Sequence, residues 1–142
     1  MFRALKVIGA VEKVQFLNHS SHLVPARIDT GAKTSAVWAS NVTVDGNRIS
    51  FTLFDKNSQY YDGKVIKTRI NSVKKIKSTI GEAERRYVVK LPIFINGRKI
   101  KASFTLADRS NQSYPVLIGR NVLRGKFVIV IKPTKTMEEV SL

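Results

Sequence analysis

Apolar and polar residues alternate with a period of two through most of this chain, and tight-turn dipeptides interrupt the alternation at short intervals. Residues 42–44, 49–54, 65–70, 87–95, 100–106 and 127–131 all read as strands, because a strand sends successive side chains to opposite faces. Asp45-Gly46 joins the first two of these segments and Asn96-Gly97 joins 87–95 to 100–106. Both dipeptides suit hairpins, since their residues reach the positive φ that a tight reversal needs. Asp62-Gly63 and Ile80-Gly81 mark two further reversals. Pro92, inside a strand-like run, lacks an amide donor and calls for an edge position or a bulge. Helical signals are confined to residues 120–123, one short turn stopped by Gly125, while 35–39 is rich in small residues and reads as irregular. Short strands with regular turns give an all-β fold, a small closed β-barrel or a sandwich, with one short helix near the C-terminus.

A length of 142 residues fits one domain, expected over 1–132, with a polar tail over 133–142 that frays. The chain has no cysteine, which excludes disulfides, zinc–thiolate sites and cysteine nucleophiles and suits a reducing compartment. Its start has charges too closely spaced for a signal peptide, and no apolar run is long enough to cross a membrane, so a soluble cytoplasmic protein is expected. Twenty-five Lys and Arg against 10 Asp and Glu give a formal net charge of +15. Such an excess attracts polyanions, whether nucleic acid, an anionic membrane surface or an acidic peptide, or else makes a very soluble surface. The cations are spread along the chain, with enrichments over 64–77 and 90–101.

The chemistry concentrates at Asp29-Thr30-Gly31, which follows a strand-like approach through Leu23, Val24, Ala26 and Ile28. A carboxylate on a tight turn has its orientation set by backbone N–H donors; Gly31 permits close approach and the Thr30 hydroxyl can lock the turn. A second block, Pro115-Val116-Leu117-Ile118-Gly119-Arg120-Asn121-Val122-Leu123, lies far downstream. Together, in this order, they closely resemble the two signatures of the retropepsin-like aspartic peptidases. Within that superfamily, residues 27–36, 104–109 and 115–123 resemble a bacterial group labelled "ATP-dependent zinc protease", some of whose members are found beside ATP-grasp glutamate ligases.

The resemblance implies a small acid-protease barrel in which Asp29 is catalytic and Thr30, Gly31 and Ala32 complete the active-site turn. Leu117, Ile118 and Gly119 would thread beneath that turn as a buttress, with Arg120 and Asn121 opening the short helix. It implies a peptide hydrolase, but neither half of the group's label carries over. The chain has no Gly-rich phosphate loop of the Walker type. His19 and His22, the only histidines, stand in His-Ser-Ser-His, which reads as a solvated loop rather than a zinc site. No metal and no cofactor are expected.

An aspartic peptidase needs two carboxylates sharing one proton, and the chain has one Asp-Thr-Gly. The resemblance therefore requires a homodimer with Asp29 from each subunit. Retropepsins commonly carry an acid four positions after the catalytic Asp, paired with the Arg of the second motif. Here that position is Lys33, so Arg120 needs another partner, for which Asp108 is the candidate. Arg27 and Lys33 flank Asp29, where they either favour its ionised form or point outward to hold an acidic, perhaps Glu-rich, substrate. Residues 77–85, with Thr79, Ile80 and Gly81 at the centre, are the candidate flap. Trp38 reads as a core or interface anchor rather than a substrate platform. The competing class is a non-catalytic binding module on the same fold, for an acidic protein or nucleic acid.

Overall fold

The alternation in sequence becomes burial in the computed structural model, which describes residues 4–19, 22–77, 81 and 83–131. The strands are β1 (Lys6–Ile8), β2 (Val11–Phe16), β3 (Val24–Ile28), β4 (Ser35–Asp45), β5 (Arg48–Leu53) and β6 (Val65–Arg69). They continue with β7 (Ser72–Lys77), β8 (Ala83–Ile95), β9 (Arg98–Ala107), β10 (Val116–Ile118) and, after the helix α1 (Arg120–Leu123), β11 (Phe127–Ile129). In β3, Val24, Ala26 and Ile28 are buried while Arg27 faces out. That inward face is what fixes register, because a one-residue slip would turn the apolar set to solvent.

Six strands close on themselves in the order β10–β3–β2–β8–β9–β4, and β4 then pairs with β10. The β10–β3 and β4–β9 pairs are parallel and the other four antiparallel. The chain is thus an all-β closed barrel with one short helix. The second half of β4 leaves the barrel to pair with β5, which pairs with β6, and the first half of β8 pairs with β7. A separate parallel pair joins β1 to β11. The core centres on Phe16, whose ring meets Phe104 at 5.4 Å and Phe54 at 6.4 Å, both edge to face. Trp38 packs half-buried against this core.

Several expectations hold and some need correction. Asn96 and Gly97 both have positive φ (43° and 77°) and make the expected two-residue reversal. At the other hairpin Asp45 is still paired, with Arg48, so the loop is Gly46-Asn47. Residues 35–39 are not irregular; they open β4 inside the barrel, with Ser35 facing Phe104 and Val37 facing both Leu106 and Val116. Pro92 falls where β2 ends at Ile93 and β7 has already ended at Val88, so its donor-less nitrogen lies in the interval between two partner strands. The 133–142 tail lies outside the described residues.

His19 corrects the picture of a solvated loop. It is 8% exposed, and its Nε2 lies 2.9 Å from Asp62 Oδ1, tying the turn after β2 to the turn before β6. Burial lowers its pKa below the ordinary 6.5, with the Asp62 carboxylate pulling the other way and His22 and Lys64 adding to the lowering. A histidine held less basic in the folded chain than in the unfolded one contributes stability above pH 6.5 and loses it as the pH falls below that value. Thermal unfolding between about pH 7.5 and 5.5 should therefore show a larger loss of midpoint for the wild type than for His19→Gln. Equal losses would mean that His19 takes no part in the acid sensitivity.

Candidate active site

β3 delivers Asp29 to the end of the barrel because β10 runs parallel beside it, Ile118 facing Ile28. The Asp29 amide donates to the Ile118 carbonyl at 2.9 Å, extending the ladder by one residue. The chain then turns: Gly31 N–H donates to Asp29 Oδ1 at 2.9 Å, and Ala32 N–H to the Asp29 carbonyl at 3.2 Å. One carboxylate oxygen is therefore held by the turn it begins. Asp29 is half-buried, and Thr30 and Gly31 are exposed beside it.

The second motif lies directly under this turn. A Cβ on Gly119 would collide with the Thr34 carbonyl and stand 2.8 Å from the Ala32 carbonyl oxygen. Its φ of −100° is open to any residue, so glycine is needed here for space. The two segments are laced by Arg120 N–H to the Ala32 carbonyl at 2.8 Å and Asn121 N–H to the Lys33 carbonyl at 3.2 Å. Ser35, fully buried, accepts from Gly119 N–H at 3.0 Å and donates to Asn121 Oδ1 at 2.7 Å. Asn121 Nδ2 continues to the Ser103 carbonyl of β9 at 2.9 Å. Ser35 went unnoticed in the sequence, where it is one serine in a small-residue run; only its contacts mark it.

Arg120 finds its partner within the turn, not at Asp108. Its Nη1 donates to the Thr30 carbonyl at 3.0 Å, a neutral acceptor that stands in for the missing acid. Asp108 is exposed; hydrogen bonds from the Ser110 hydroxyl and then from the Ser110 N–H, the latter at 2.9 Å, lower its pKa. Lys33 and Arg120, with Asn121 and Arg124, line an open groove of about 440 Å³ beside the turn. Arg27 is exposed on β3, with a neighbour the sequence did not suggest. Arg109, half-buried and donating to the Tyr114 carbonyl at 3.0 Å, has its pKa lowered by burial and then by Arg27.

Of the candidate flap, Thr79 and Ile80 lie outside the described residues, and Gly81 has a φ of +87°. The hairpin leading to it, β7 with the first half of β8, reaches the site through Lys74, whose Nζ donates to Thr34 Oγ1 at 3.1 Å. Among the described residues no three His, Cys, Asp or Glu side chains gather to hold a metal, and His19 is engaged by Asp62. No helix among them is long and apolar enough to cross a membrane.

A six-stranded barrel, an Asp-Thr-Gly turn at the end of one strand and a Gly-bearing strand packed beneath it define a retropepsin-like protein. The chain belongs to the RimB-like family, described as retropepsin-like aspartic endopeptidase RimB, whose model matches residues 7–140. It is also similar to two proteins named "Probable alpha-L-glutamate ligase". The one from Shewanella pealeana is 30% identical over 131 residues, 87% of this chain and 28% of the relative. The one from Desulfotalea psychrophila is 28% identical over 130 residues, 89% of this chain and 28% of the relative. The chain thus spans little more than a quarter of the curated relatives it matches. A Legionella pneumophila protein of unknown function shares the fold, with a TM-score of 0.69 and 24% identity over 92% of this chain and 95% of that one.

Replacing Ser35 by Ala orphans the buried Gly119 N–H and the Asn121 carbonyl oxygen, and should cost about 1–3 kcal/mol in urea denaturation. A variant as stable as the parent would show that the Ser35 contacts do not hold the turn.

Proposed function

We propose that the chain is a peptide hydrolase of the aspartic type, acting as a homodimer on acidic peptides. The observation that carries the reading is the Asp29 carboxylate, half-buried and held by the Gly31 amide on a turn buttressed by Gly119. A turn needed only for stability would not require a carboxylate there. The chemistry calls for a second carboxylate close enough to share a proton, so that one acts as base and the other as acid on a bound water. A second copy of Asp29 across a two-fold axis supplies it. The pair would titrate as a unit, and neither Asp29 would have a pKa of its own.

The acidic substrate is supported by charge and by kinship. Lys33, Arg120 and Arg124 line the groove beside the turn, and Arg27 lies on the strand that leads to it. Relatives that contain a similar segment are named for joining glutamate, which makes a Glu-rich chain a natural object for this one. Cytoplasmic location follows as part of the same proposal.

Incubating wild type and Asp29→Asn with Glu-rich peptides, read by mass spectrometry, should show cleavage by the wild type and a loss of at least about a hundredfold in the variant. Activity per chain should also fall on dilution as the dimer dissociates. Cleavage by Asp29→Asn at the parent rate would sink the mechanism.

A second reading has its own observation. Arg48, Lys67, Arg69, Lys90 and Lys101 line an open groove of about 640 Å³ to which no acidic side chain among the described residues contributes. It suits a polyanion, with the barrel serving as a binding module for nucleic acid. Binding to an RNA duplex, followed by fluorescence anisotropy, should then weaken steeply with salt and be indifferent to Asp29→Asn. A flat salt response removes this reading.

A further inference from the structure

The β7–β8 hairpin sets Lys74 directly opposite Arg86. Opposed residues of an antiparallel pair share one face, and like charges placed that way repel. This face is turned to the active-site loop, since Lys74 Nζ lies 3.1 Å from Thr34 Oγ1. Thr34 is the residue whose carbonyl packs on Gly119, so the ammonium comes down where the Asp29 turn is held. Lys74 is half-buried, and the Thr34 hydroxyl to which it donates is a weaker partner for an ammonium than a carboxylate.

Arg86 adds an independent sign. Its Nε is buried and has no hydrogen-bond acceptor among the described residues. The Glu84 carboxylate lies 3.9 Å away, too far to accept a hydrogen bond, and is largely exposed. The Arg86 side chain is itself 37% exposed, so a ligand can reach the guanidinium beyond the buried Nε. An arriving carboxylate there would offset the repulsion between Lys74 and Arg86.

We infer that Lys74 and Arg86 form a carboxylate-recognition site on the hairpin over the Asp29 turn, and that they set the preference for an acidic side chain in the substrate. This rests on reading the Asp29 turn as a peptide-binding site, and extends that reading from general positive charge to two named specificity residues. They select and position the substrate and take no part in the proton transfers.

The test measures binding in the Asp29→Asn chain, which prevents turnover, using a labelled Glu-rich peptide and its Gln-rich counterpart. Lys74→Met and Arg86→Met should each weaken the Glu peptide about tenfold or more and leave the Gln peptide within about twofold. Lys74→Arg should restore most of the loss, and Lys56→Met, which removes the same charge from an exposed turn, should change neither. Circular dichroism confirms that each variant is folded. Equal weakening by Lys56→Met, equal loss for both peptides, or no preference for Glu in the parent would each overturn the assignment. Cleavage by the wild-type chain reports separately on Asp29. Glu preference lost with Lys74 but no cleavage keeps the site and removes the peptidase, while cleavage indifferent to Lys74 and Arg86 does the reverse.

Discussion

Everything around Asp29 depends on how closely Gly119 lies against the backbone of residues 32–34. With no side chain at that position, the chain can pass from β10 into α1 beneath the turn, and the Arg120 and Asn121 amides reach the Ala32 and Lys33 carbonyls. The same contact brings Ser35 to the Gly119 amide and Asn121, and through Asn121 the lacing reaches β9. A carboxylate on a surface loop would wander among rotamers. Here three strands hold its backbone.

The electrostatics of the site are unusual for such a turn, because the position that commonly carries an acid carries Lys33. The structure resolves the resulting conflict with neutral oxygens: Arg120 on the Thr30 carbonyl and Lys74 on the Thr34 hydroxyl. Cations satisfied by carbonyls and hydroxyls keep most of their charge available, whereas internal ion pairs would have cancelled it. With a net charge of +15 behind it, the region around Asp29 presents positive potential to whatever approaches.

Much of the barrel was legible in the sequence, for a local reason. Asn96-Gly97 adopts its reversal through its own φ preferences, and the alternation in β3 directly gives the buried face. The short helix ending before Gly125 was legible for the same cause. Residues 35–39 were not, because small side chains mark neither strand nor loop until the neighbours β9 and β10 are known. Pro92 suggested an edge position or a bulge; it lies instead within β8, paired with β9 on one side and facing the interval between β2 and β7 on the other, which depends on where those strands end. His19 looked solvated because its polar neighbours surround it in sequence, while Asp62 and Phe54 surround it in space.

By itself the sequence determined the strands, the turns, the Asp29-Thr30-Gly31 and Leu117-Ile118-Gly119 motifs and the surplus of positive charge. These are properties of residues and near neighbours, where φ preference, alternation and charge act over a few positions. Tertiary structure alone decided which acceptor Arg120 takes, that Ser35 binds the two motifs together, that His19 is buried against Asp62, and that Lys74 reaches Thr34 with Arg86 opposite. Each of these joins atoms distant along the chain, and only barrel closure, which pairs β4 with β9 and β10 and lays β7 on β8, brings them within a hydrogen bond's length.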